Sequence, residues 1–140
     1  MSRFFRIAAS SAVGVLIVLL IASCADEQKP PEELVADRAQ ARLDSIVARD
    51  FAAAWEFHPP GFREKLPLQE FIISRNSRPV RWLGGEVTAV ECREDICDVA
   101  LAIKFRPLGG DAAFQRLELS QNISERWVNV SGQWWYGEES

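Results

Sequence analysis

Cys97-Asp98-Val99-Ala100-Leu101-Ala102-Ile103-Lys104-Phe105-Arg106 settles the class of fold, because its bulky apolar residues return at every second position. Successive side chains of a strand point to opposite faces, so Cys97, Val99, Leu101, Ile103 and Phe105 read as the covered face of a half-buried strand. Working outward, Arg81 to Cys92 is a second strand, with Gly84-Gly85 marking a bulge or bend inside it. Pro107 to Asp111, carrying Gly109-Gly110, is a loop, and Phe114 to Val130 supplies one long strand or two short ones. Ser131-Gly132 then turns the chain into Gln133 to Tyr136.

Upstream of Pro79 the period changes from two to that of a helix. Ala36, Ala39, Leu43, Ile46, Val47, Phe51, Ala54 and Phe57 fall on one stripe, which predicts a single long amphipathic helix from Glu32 to His58. His58-Pro59-Pro60-Gly61 ends it, since a residue before proline is pushed out of the helical region. Two shorter helical pieces are expected over Phe62 to Leu66 and Leu68 to Ser74, the second turning Phe71 and Ile72 inward. Helices first and an antiparallel meander afterwards is the order of an α+β domain, with the long helix laid across one face of the sheet.

The chain has 140 residues and a net charge of −4. Setting aside the first 23 residues, with Arg3 and Arg6 among them, leaves 14 basic against 20 acidic side chains, or −6, enough chain for one domain and one modest core. That sign disfavours nucleic acid and anionic headgroups as main partners, because both reward clustered Lys and Arg.

Met1 to Arg6 is short and positive, Ile7 to Ile21 is apolar, and the small residues Ala22 and Ser23 precede Cys24, the layout of a secretory signal. An uncleaved membrane-spanning helix is the competing reading, and the apolar stretch is only just long enough for one. Ile21-Ala22-Ser23-Cys24 resembles the bacterial lipobox. That resemblance implies removal of residues 1–23, lipidation of Cys24, and a lipid-anchored domain in the cell envelope. Ala25, where inner-membrane lipoproteins carry Asp, implies the periplasmic face of the outer membrane. Asp26 to Glu33, with Pro30-Pro31, then reads as an extended tether, so residues 24–32 join the lipid to a domain at 33–140.

Cys92 and Cys97 flank a four-residue loop, and in an oxidising compartment they are most simply a disulfide, with reduced core thiols as the alternative. A metal centre is not indicated, since the chain has one histidine and no second cysteine pair to complete four ligands.

A long first helix, a short helical hairpin and a meander ending in Arg126-Trp127-Val128-Asn129-Val130-Ser131-Gly132-Gln133-Trp134-Trp135 is similar to the nuclear-transport-factor-2-like superfamily, which includes ketosteroid isomerase and the SnoaL-like cyclases. The segment Phe57-His58-Pro59-Pro60-Gly61-Phe62-Arg63-Glu64 carries the likeness as well. The resemblance implies a curved sheet closing a cone, often with a ligand and an acid inside it.

Asp50 lies mid-stripe between Ile46 and Ala54, so it is expected to be desolvated and to face such a pocket together with Phe57 and Trp127. It would act there as base or ligand anchor, or else as a structurally paired acid. The isomerase pattern also needs an oxyanion-binding tyrosine, whereas the only one, Tyr136, stands near the end of the chain. His58 beside two prolines reads as a helix-end residue before it reads as a base. Trp134 and Trp135 are on opposite faces of their hairpin, so at least one is expected to leave the core and offer a partner face.

These readings assign no catalytic residue and no cofactor. They favour a membrane-tethered periplasmic lipoprotein that serves as a non-enzymatic binding or accessory module of the envelope, with an envelope protein or a small apolar ligand as partner. The alternatives are a small pocket enzyme, an isomerase, cyclase or hydrolase using Asp50, and a component of a secretion or conjugation apparatus.

Overall fold

In a computed structural model of the chain, residues 29–139 are described. The expected signal segment, Cys24 and most of the tether lie outside them.

Helix α1 (Pro31–Val47) starts inside the expected tether, because proline is favoured in the first turn and Glu32 and Glu33 complement the positive end of the helix dipole. It buries Val35, Ala39, Leu43 and Ile46 at helical spacing. The continuous helix expected from Glu32 to His58 does not form. α1 closes after 17 residues at Ala48. Arg49 then takes the left-handed conformation, φ 61°, and Asp50 caps α2 (Phe51–Trp55) by accepting the Ala53 N–H at 3.0 Å. The apolar stripe continues across this break, but the capping carboxylate restarts the helix in a new direction. α3 (Pro60–Lys65) and α4 (Leu68–Asn76) follow, each entered through a proline, Pro59 and Pro67.

Strands β1 (Val80–Arg93), β2 (Ile96–Pro107), β3 (Leu119–Val130) and β4 (Gln133–Glu139) form one antiparallel sheet in chain order. Leu119 is where β3 begins. Phe114–Arg116, expected to be strand, is a short 3-10 turn held by Asp111, whose Oδ1 accepts the Ala113 and Phe114 N–H groups. Cys92 stands opposite Cys97 across the β1–β2 hairpin, and the two are joined by a disulfide; closing so short a loop contributes only about 2 kcal/mol. At the other hairpin Ser131 (φ 54°) and Gly132 (φ 84°) both adopt positive φ, as a two-residue primed turn requires. Register slips between Trp82 and Gly84 and again between Val87 and Ala89. Beside the first slip, a Cβ on Gly85 would stand 2.7 Å from the Ala102 carbonyl oxygen and 3.1 Å from a Leu43 methyl, so glycine there lets α1 approach the sheet. Gln40 of α1 also closes part of the β1 edge, bonding the Gly85 carbonyl and the Val87 N–H.

Val35, Ala39 and Leu43 pack on Cys97, Val99, Leu101, Ile103, Trp127, Trp134 and Tyr136. A second cluster joins Ile46, Phe51, Ala54 and Phe71, and Trp82 packs against both. Among the described residues, the side chains of both clusters come from within Val35 to Tyr136. No helix among the described residues is long and apolar enough to cross a membrane. The domain is α+β, with an antiparallel four-stranded sheet covered by short helices.

Candidate functional site

Arg42 and Glu125, two charged residues, are buried within the apolar layer. Arg42 belongs to the covered stripe of α1, and Glu125 shares the covered face of β3 with Ile123 and Trp127. Their side chains, 3% and 1% exposed, form an ion pair at 2.5 Å. The Trp127 indole N–H donates to the other carboxylate oxygen at 3.2 Å, and the Arg42 guanidinium lies 3.4 Å from the Tyr136 ring centroid. Low dielectric makes each of these contacts strong and makes an unmatched member costly.

Tyr136 connects this network to the surface. Its backbone N–H donates to the Phe57 carbonyl at 2.8 Å, which ties β4 to the segment between α2 and α3. Its ring meets the His58 imidazole edge to face at 5.0 Å. His58 is itself stacked on Phe62, with centroids 4.0 Å apart, and meets Phe71 edge-on at 5.3 Å. Only 2% exposed, it has a buried Nε2 without a hydrogen-bond partner. Burial pushes the imidazole pKa down to about 3, and the nearby positive charges of Arg42, Arg75 and Arg63 add to the effect. His58 is therefore neutral at any pH near 7.

This imidazole and Tyr136 border a cleft of about 340 Å³ between α3, α4 and β4. Phe62, Leu66 and Phe71 supply its apolar walls, and Ser74, Arg75 and Arg78 of α4 and the residues just after it supply its polar side. Leu66 is held by the Trp55 indole N–H, which donates to its carbonyl at 2.9 Å. The Arg75 guanidinium lies 5.0 Å from the centroid of the Phe71 ring. The lining thus has aromatic and aliphatic surface, two guanidinium groups and, among the described residues, no carboxylate.

The expected site does not form. Asp50 is exposed and occupied as the α2 cap, because the chain turns at Arg49 and takes the carboxylate out of the stripe. Phe57 and Trp127 do meet, edge to face with centroids 6.2 Å apart, but Arg38 lies over both rings and Trp127 is fully buried, so side chains fill the space. Nor do the two tryptophans make an exposed face. Trp134 is buried in the main core, and Trp135 is half-buried, with the Arg63 guanidinium 5.6 Å from its ring. Exposed apolar side chains stand instead on and beside the β2–β3 connection, at Leu108, Phe114, Leu117 and Leu119.

His58, Arg75 and Arg78 were not legible as a site from sequence, since α3 and α4 bring them together only in three dimensions. Arg42 and Glu125 did leave a signal. Each interrupts an apolar pattern, and their charges are opposite.

No family model and no curated protein matches the chain. Among solved structures it is similar to a SEC-C motif containing protein from Rhodopseudomonas palustris, with a TM-score of 0.53 and 19% identity over 79% of this chain and 77% of that one. It also aligns with the association domain of CaMKII from C. elegans, at a TM-score of 0.43 and 17% identity over 74% of this chain and 88% of that one. The likeness to the SEC-C motif protein and the four-stranded meander under short helices overturn the expected nuclear-transport-factor-2-like cone. None of the comparisons supports the lipobox reading, which falls on residues outside those described. At such low identity the similarity shows the fold alone.

Proposed function

We propose that the chain is a membrane-tethered binding module of the bacterial cell envelope, with the cleft beside His58 as its ligand seat. The observation that carries this reading is the make-up of the cleft, where apolar walls meet guanidinium groups over a neutral, ring-enclosed imidazole. Proton transfer needs a group whose pKa is near the working pH. His58, at about 3, is far below it, and arginine does not titrate in this range. Such a surface suits holding a molecule better than transforming one. At about 340 Å³ the cleft is at the low end of the roughly 300–1,000 Å³ common for small-molecule sites.

The tether rests on the apolar segment Ile7 to Ile21 and on Cys24 after it. The full chain produced in a bacterial host is expected in the membrane fraction and to incorporate labelled palmitate, whereas Cys24→Ser takes up none. A native chain that is soluble and unlabelled contradicts the anchored reading.

A further inference from the structure

We infer that the outer edge of β3, from Leu119 to Ser124, pairs antiparallel with the same edge of a second copy of this chain. β2 runs alongside this stretch on one side, from Phe105 to Ala100, but on the other side β4 stops at Glu139, opposite Glu125. Among the described residues no other strand takes its place, so alternate backbone N–H and carbonyl groups here point outward. The outer edges of β1 and β4 are partly closed: Gln40 bonds β1 at Gly85 and Val87, and the Tyr136 N–H of β4 donates to the Phe57 carbonyl. Natural edges usually carry lysine, proline or a bulge against unwanted pairing. Leu119-Ser120-Gln121-Asn122-Ile123-Ser124 has no proline and no charge, and its register with β2 is unbroken.

Symmetry and charge select a second copy as the occupant. Leu119 and Ile123 stand two residues either side of Gln121, on the face of β3 that the helices cover. An antiparallel pair centred on Gln121 therefore sets each Leu119 opposite the other copy's Ile123, and each Ser120 opposite Asn122. A foreign strand would need no such symmetry. Leu119 is 36% exposed and Ile123 already packs against the main core, so their contact extends that core across the two-fold axis. With a net charge of −4, two copies repel one another over most of their surface. This edge is neutral, and the acids that bound it are already paired, Glu118 with Arg106 and Glu125 with Arg42. In the same register these acids stand opposite Ser124 and Leu117 of the other copy, so no like charges meet.

Cysteine crosslinking and sedimentation equilibrium of the detergent-solubilised full chain test this. Gln121→Cys sets two thiols face to face across the axis with Cα atoms about 5 Å apart, inside the range a disulfide spans, so mild oxidation yields a covalent dimer. Ser124→Cys, three residues from the axis, holds its thiols about 20 Å apart. It gives no more dimer than the native chain, which sets the background from Cys24. Both positions are exposed, so neither substitution disturbs the core. In sedimentation the native chain dimerises with a Kd on the order of 10 µM, as befits a small interface. Gln121→Lys and Gln121→Glu each weaken this about fivefold, because like charges then stand directly opposite, and an equimolar mixture of the two restores it. A native chain still monomeric at about 200 µM leaves the edge to a foreign strand and overturns the inference. Equal crosslinking at the two cysteine positions, or a mixture no tighter than either variant alone, overturns it as well.

Discussion

Glu125→Ala lowers the stability of the domain by about 3–5 kcal/mol in urea unfolding, the usual cost of leaving one member of a buried ion pair uncompensated. Arg42 is then stranded in the core at 2% exposure, and the Trp127 indole N–H loses its acceptor. The loss comes from the charge left behind more than from the bond removed. Replacing both members, Arg42→Met with Glu125→Leu, therefore recovers most of the stability, because two apolar side chains of similar size need no partner. A Glu125→Ala variant within about 1 kcal/mol of the native chain would show the pair to be solvated, as exposed pairs typically contribute no more than that.

The second large effect is acid sensitivity through His58. Its folded pKa of about 3 is below the 6.5 of an unperturbed imidazole. As pH falls through 6.5 the unfolded chain takes up a proton that the folded chain refuses. The stabilising contribution is thus complete above pH 6.5 and is lost progressively down to about 3. At ~1.4 kcal/mol for each unit of separation, the whole loss is on the order of 4–5 kcal/mol. His58→Phe keeps a ring stacked against Phe62 and removes the titrating group. The difference in unfolding free energy between native chain and variant, followed from pH 7 to pH 4, is expected to move steadily in the variant's favour. Carboxylates titrate in both proteins and cancel in this difference. A flat difference would mean that the imidazole reaches water or an acid when protonated.

The sheet was legible because its signal is local. Period-two alternation from Cys97 to Phe105, the Ser131-Gly132 turn and the paired cysteines each fix a neighbourhood of a few residues, and each is found in place. The helical layer was misread where two local rules compete. Apolar periodicity runs on through Val47 and Phe51, while Asp50 is a strong capping residue. The cap prevails, so the acid expected in a pocket is at the surface. Phe114 and Leu117 look like strand residues, but Asp111 gathers the backbone N–H groups into a turn. The cleft depends on how α3 and α4 settle against β4. No short-range pattern encodes that packing, so His58 read as the end of a helix rather than as part of a site.

The direct measurement is amide chemical-shift mapping of the isotope-labelled full chain titrated with the amphiphilic dye anilinonaphthalene sulfonate. The perturbed amides are expected to cluster at His58 and Phe62, along Phe71 to Arg78, and at Tyr136, with a single saturation curve. Shifts centred instead on the separate groove of about 430 Å³ over Gly84, Gly85, Ala102 and Gln121, or scattered across the sheet without saturation, would contradict the cleft as ligand seat.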